Sequence, residues 1–133
     1  MPTMTAGQRR QAQKVEYNAM NADCPTRQLV DVLSDKWVTL VFCALMQGPQ
    51  RHSQIGRQVA GVSQKMLTQT LRGLERDGFV SRTVTPSVPV RVDYELTGLG
   101  WQFAPLISAI KGWAETHMDE VLAAREAYDG AVA

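Results

Sequence analysis

Apolar residues recur at helical spacing in several stretches of the chain, and residues that favour helix ends separate these stretches. Cys24-Pro25 opens the first helix, because proline suits the first helical turn, and Ser34-Asp35 ends it and caps the next. That second helix, residues 36–47, is apolar on nearly every side and ends at Gly48-Pro49. A helix of this kind is expected to be central and buried all round, and it could also line a subunit interface or an effector pocket.

The next two helices are short and joined by a tight turn containing glycine, which is the pattern of a helix-turn-helix. Ser53 is the predicted cap of the first, which runs through Val59. Ser63 caps the second, which ends at Gly78 in a position that favours a left-handed residue. The inward stripe of the second helix consists of Leu67, Leu71 and Leu74.

A hairpin and a long helix complete the predicted fold. Residues 79–84 and 91–96 favour strands, and Pro86 and Pro89 place a turn between them, so the hairpin forms a wing. From Thr97 helical spacing continues for about seven turns, with Pro105 expected to kink or split the helix. Its apolar stripe is too long for one small domain, which favours pairing with a twofold mate; a purely intramolecular role remains the alternative.

The predicted fold class is therefore mainly α with a small β-wing, a winged helix-turn-helix domain with N- and C-terminal dimerisation helices. The boundaries predicted from these patterns are an N-terminal arm at 1–23, a DNA-binding core at 24–97, a dimerisation helix at 98–128 and a tail at 129–133.

The charge distribution changes what the composition suggests. With 133 residues, 44% hydrophobic and 20% charged, the chain fits one soluble domain, and its net charge of +1 does not by itself indicate a nucleic-acid partner. Residues 51–91, however, hold seven basic and two acidic residues, a balance of +5, whereas residues 92–133 hold two basic and seven acidic, a balance of −5. A strongly basic middle segment indicates binding to nucleic acid.

The candidate DNA contacts fall into two groups. Long polar and basic side chains on the second helix of the helix-turn-helix could reach base edges in a major groove: Ser63, Gln64, Lys65, Thr68, Gln69, Arg72 and Arg76. Arg51, Arg82 and Arg91 are candidates for the DNA backbone or a minor groove. The alternatives are a solvated helix face and a winged-helix protein-interaction module that does not bind DNA.

The two cysteines have different predicted environments. Cys24 lies at the first turn of a helix, where the helix dipole and Arg27 favour thiolate, so it is the redox-sensing candidate; an ordinary structural role is the alternative. Cys43 lies in the apolar helix and is expected to be protonated and inert unless it faces a partner or a pocket. The candidates for an effector pocket or a subunit interface are Trp37, Thr39, Cys43, Met46, Trp113 and His117.

Other classes of function lack support in the sequence. Nothing places a base beside a nucleophile, so no enzyme is predicted, and no metal site or cofactor is predicted either. The sparse cysteines, the lack of a signal-peptide apolar region and the lack of a membrane-length apolar run predict a cytoplasmic protein.

Three segments of the chain resemble the HxlR-type transcriptional regulators, which are bacterial winged helix-turn-helix proteins related to the MarR group. The segments are CPTRQLVDVLSDKW, GVSQKMLTQTLRGLERDGFVSRTV and PVRVDYELTGLG, and the resemblance extends from Cys24 to His117. It implies a dimeric repressor or activator that reads DNA with the helix at residues 63–77. For a twofold dimer, two such helices predict a near-palindromic operator. The resemblance also implies, from several family members, a sensor cysteine at the position of Cys24, although family effectors are diverse and include small molecules and oxidants. Asp35 stands where the family commonly has glycine.

Overall fold

A computed structural model describes residues 5–9 and 24–132 of the chain. After a helical turn at residues 6–9, the elements in chain order are α1 (Pro25–Leu33), α2 (Lys36–Leu45), α3 (His52–Gln58), α4 (Gln64–Arg76), β1 (Val80–Thr85), β2 (Arg91–Leu96) and α5 (Gly98–Val132). Most of the predicted N-terminal arm lies outside the described residues.

Short-range polar contacts fix most of the helix ends. Asp35 accepts a hydrogen bond from the amide of Trp37 at 2.9 Å, and Ser63 accepts one from the amide of Met66 at 3.1 Å, which confirms both predicted caps. Gly78 has a φ of 83°, as expected for the residue that ends α4. The predicted cap at Ser53 is wrong, because α3 already begins at His52.

The cap of α3 is Arg51, whose amide donates to the side-chain oxygen of Gln54 at 2.8 Å. This return bond from the third helical residue satisfies an amide that would otherwise lack a partner, so the helix can begin without a serine cap.

The core lies where α2 packs against α3, α4 and α5. The leucine stripe of α4 is buried as predicted. Three aromatic rings, those of Phe42, Phe79 and Phe103, contact one another with centroids 5.1 to 5.8 Å apart and join α2, the start of the wing and α5.

The expectation that α2 is buried on all sides is wrong for the single chain. Leu40 is 47% exposed, and Thr39 and Cys43 are only half-buried. Neighbouring elements cover the face that carries Val38, Val41, Phe42 and Leu45, and the opposite face remains open. The helix also stops at Leu45, two residues earlier than predicted.

The wing is a two-stranded antiparallel hairpin, paired from Val80 with Leu96 to Thr85 with Arg91. Its base is attached to the helices by Gln50, whose backbone exchanges hydrogen bonds with that of Tyr94 at 2.9 and 2.8 Å. The buried side chain of Gln50 donates to the carbonyl of Ala44 and accepts from the amide of Gln58 at 2.6 Å. A single glutamine therefore joins α2, α3 and the wing.

The last helix, α5, is 35 residues long and runs without a break through Pro105, so of the two predicted effects of the proline, a kink or a split, the split does not occur. Ala104 and Ile107, on either side of the proline, are buried against the core, and this packing holds both turns in helical geometry. The helix also extends to Val132, so the predicted tail is helical almost to its end. Among the described residues, no helix is both long and apolar enough to cross a membrane.

Candidate nucleic-acid interface

The polar face of α4 is presented to solvent. Thr68 is half-buried, and the remaining predicted base-contacting residues are exposed: Ser63, Gln64, Lys65, Gln69, Arg72 and Arg76. The hydroxyl oxygen of Ser63 is engaged in capping α4, so this residue has a structural task besides any contact with DNA. The stripe of buried leucines on the opposite side of α4 fixes which face is exposed.

Helix α4 and the wing converge on a cleft that contains two arginines. Arg72 from α4 and Arg82 from β1 line the same cleft, together with Thr68, Glu75 and Tyr94. Two arginines from different elements thus line one cleft, an arrangement that favours contact with a polyanion. Glu75, an acidic residue that was not among the predicted site residues, lines the same cleft.

The two wing arginines, which the sequence placed in one group, lie on opposite faces of the hairpin. Side chains alternate along a strand, so Arg82 shares the face of the buried Val80, two residues before it. Arg91 lies an odd number of residues from the buried Leu96 and therefore occupies the other face. There its Nε donates to the carboxylate of Asp93 at 3.0 Å. Arg82 is the wing arginine placed beside α4.

The start of α3 adds two residues to this surface. Arg51 is exposed and caps the helix through its backbone, which leaves its guanidinium outside the core. His52, which sequence reasoning did not include, places its Nε2 at 3.0 Å from the hydroxyl of Thr68. This contact joins the two helices of the helix-turn-helix, and no short-range pattern in the sequence signals it, because 16 residues separate the partners.

The candidates for an effector pocket or interface are divided between α2, including its C-terminal cap, and α5. The Trp37 ring lies 3.8 Å from where a Cβ on Gly61 would stand and 4.7 Å from the Lys36 ammonium, while Trp113 contacts His117 on α5 at a centroid distance of 4.9 Å. Of the remaining three candidates, Cys43 and Met46 pack against the core at the C-terminal end of α2, whereas Thr39 lies in the first half of the helix and is half-buried.

Cys24 and Cys43 are not joined in a disulfide, and their surroundings differ. Cys24 is buried and caps α1, where its sulfur accepts a hydrogen bond from the amide of Arg27 at 3.3 Å. Burial raises the pKa of the Cys43 thiol; the nearby Lys111 lowers that pKa and Glu115 raises it. The ammonium of Lys111 and the carboxylate of Glu115 are themselves paired at 2.6 Å on α5. The direction of this pKa shift favours the protonated thiol, in line with the expectation for Cys43.

This combination of a helix-turn-helix followed by an antiparallel hairpin defines a winged helix-turn-helix protein. Residues 32–122 match the HxlR-like helix-turn-helix family model, and the chain belongs to that family, which confirms the resemblance seen in the sequence.

Two relatives extend this assignment. The chain is similar to the HTH-type transcriptional regulator YtfH of Escherichia coli K12, with 40% identity over 84% of this chain and 88% of the relative. The structure of a YtfH transcriptional regulator from Salmonella typhimurium covers 82% of this chain and 97% of its own, with 40% identity and a TM-score of 0.74.

A third relative has a redox function in its name. The redox regulator HypR in its reduced form covers 74% of this chain and 98% of its own, with 34% identity and a TM-score of 0.71. HypR is also known in an oxidised form. The chain is thus a member of a family of transcriptional regulators that includes redox regulators.

Proposed function

We propose that this protein is a sequence-specific regulator that binds double-stranded DNA, with α4 in the major groove and the wing against the adjacent backbone. The observation that carries the proposal is the cleft that Arg72 of α4 and Arg82 of β1 line together. Its position between a recognition-type helix and a wing, within a segment of charge +5, matches the electrostatic footprint of a DNA-binding domain.

Selection of bound sequences from a random DNA pool, followed by band shifts on the selected site, tests this proposal. Replacing Arg72 by alanine should weaken specific binding by ~1–3 kcal/mol for each contacted base pair and relax base preference there. The matched control is Arg125→Ala, which removes the same charge from an exposed position on α5 and should leave base preference unchanged. If the wild-type protein enriches no sequence, the protein-interaction module becomes the better description.

We further propose a homodimer formed mainly through α5. Beyond Ile107 this helix exposes large apolar side chains along its length: Ile110, Trp113, Leu122 and Tyr128. Burying them against a second copy removes this surface from water. Two copies of α4 would then enter successive major grooves about 34 Å apart on a near-palindrome. Sedimentation that gives a monomer at micromolar concentration contradicts this arrangement.

The regulator acts as a repressor in this proposal, and Cys24 is its thiol switch. The burial of the Cys24 sulfur at the start of α1 means that oxidation or alkylation must disturb the first turn of that helix. The redox regulator HypR, known in both oxidation states, supports this choice of signal. Diamide should release the wild-type protein from DNA and leave Cys24→Ser bound, and a promoter fused to a reporter should be derepressed in parallel. An unchanged band shift after complete alkylation of Cys24 contradicts the switch and leaves DNA binding intact.

A further inference from the structure

Thr68 contacts α3 through its hydroxyl group and also lines the cleft between α4 and the wing. Its Oγ1 lies 3.0 Å from Nε2 of His52, the first residue of α3. Thr68 also lines the cleft that contains Arg72 and Arg82. With the hydroxyl bonded to His52, the γ-methyl is the other end group of the Thr68 side chain and the one available for a contact in the cleft.

The chemistry of threonine makes this orientation consequential for DNA recognition. A threonine in a helix divides between two χ1 rotamers, and a hydrogen bond to the hydroxyl selects one of them. In a major groove, a threonine hydroxyl can bond to any of several base edges, whereas its methyl group makes apolar contact with the 5-methyl of thymine. The rotamer therefore decides which chemical group of the DNA the residue can recognise.

We propose that Thr68 recognises the 5-methyl group of a thymine through its γ-methyl, and that His52 is the positioning residue that turns the hydroxyl away from the DNA. This inference rests on the proposed function, because it assigns one base contact within the same interface. It gives a role to a histidine that is otherwise only a half-buried link between two helices.

The experiment uses the wild-type operator from the random-pool selection, with each thymine of one half-site replaced in turn by deoxyuridine. That change removes one methyl group and leaves every hydrogen-bonding group of the base in place. At the thymine that Thr68 contacts, the wild-type protein should lose about fourfold in affinity, which corresponds to ~0.8 kcal/mol for one buried carbon. Thr68→Val keeps a methyl in the cleft and should keep this sensitivity, and Thr68→Ser should lose it.

His52 is tested through the same measurement. His52→Ala frees the hydroxyl and should reduce the thymine-to-uracil ratio, whereas His52→Gln, which can place an amide nitrogen near the Nε2 position, should restore it. In the Thr68→Val background, His52→Ala should change nothing, because the hydroxyl that it positions is gone. Thermal unfolding of each variant reports the structural part of the His52–Thr68 contact separately.

The outcomes separate the inference from the proposed function. If no operator is selected, the proposed function fails. A second outcome is that an operator is selected and uracil substitution lowers the affinity equally for the wild type, Thr68→Ser and His52→Ala. In that case Thr68 does not recognise the methyl group, and the inference is overturned while DNA binding stands. If His52→Ala lowers the melting temperature and leaves the thymine-to-uracil ratio unchanged, the contact is only a link between helices, which also overturns it.

Discussion

Gly100, in the first turn of α5, provides a direct test of how the wing is joined to the long helix. A Cβ built on this residue would stand 2.3 Å from the carbonyl oxygen of Phe79 and 3.2 Å from Cβ of Leu96. The Phe79 oxygen accepts a hydrogen bond from the amide of Thr97 at 3.0 Å, so it cannot withdraw without weakening that bond. Only glycine lets the helix approach the base of both strands this closely.

The size of the effect follows from two opposing terms. In an ordinary helical position, Gly→Ala stabilises a protein by about 0.5–1 kcal/mol, because alanine loses less backbone entropy. Overpacking costs about 1–3 kcal/mol, and a contact with a fixed backbone atom belongs at the upper end of that range. Gly100→Ala should therefore lower the free energy of unfolding by about 1–2 kcal/mol.

Urea unfolding followed by circular dichroism, at one fixed protein concentration, measures this change. The matched control is Gly73→Ala in α4, where a new Cβ meets nothing within 4 Å. There the free energy of unfolding should rise by the helical preference for alanine over glycine, with no opposing steric cost. Equal midpoints for Gly100→Ala and Gly73→Ala would refute the close approach of α5 to the wing.

Three further outcomes are expected. Arg82→Ala should reduce the slope of log affinity for DNA against log salt concentration by about 0.9, the contribution of one phosphate contact. Arg91→Ala should reduce this slope less, because Asp93 already pairs with the Arg91 guanidinium. Fluorescence anisotropy over a salt series measures both slopes. In the Cys24→Ser variant, iodoacetamide should alkylate Cys43 slowly near neutral pH, because burial raises the pKa of this thiol above its ordinary value of 9.0. The rate should rise only as the pH passes that value, and fast alkylation at pH 7 contradicts this expectation. Trp113→Glu should shift sedimentation toward the monomer, because its exposed ring lies on the proposed dimer stripe; an unchanged sedimentation coefficient would exclude that ring from the interface.

The features that could be predicted from the sequence depend on residues close together in the chain. Asp35 and Ser63 cap helices through contacts two and three residues away, and Gly78 ends a helix through its own φ. The start of α3 was missed for a related reason: the contact between Arg51 and Gln54 is local, but neither residue is a preferred cap, and the nearby Ser53 gave the stronger pattern.

The features that could not be predicted depend on contacts between distant parts of the chain. Gln50 binds Tyr94 across 44 residues, and nothing in a lone polar glutamine indicates that it will be buried. The contact between His52 and Thr68 forms only when α3 and α4 pack against each other. The open face of α2 could not be predicted, because an apolar composition shows which side chains favour burial. It does not show whether the rest of the same chain has elements that pack against every face of the helix.

The positions of the wing arginines could have been separated from the sequence by counting alone. Strand side chains alternate, so once Val80 and Leu96 are taken as the inward residues at the base of the hairpin, Arg82 falls on their face and Arg91 on the other. The count of +5 for residues 51–91 stops just before Asp93, the partner of Arg91, and so includes a charge that the structure neutralises. The basic surface of the proposed interface is therefore narrower than the segment total suggests. It is centred on α4 and Arg82, where two elements place positive charge on one side of the domain.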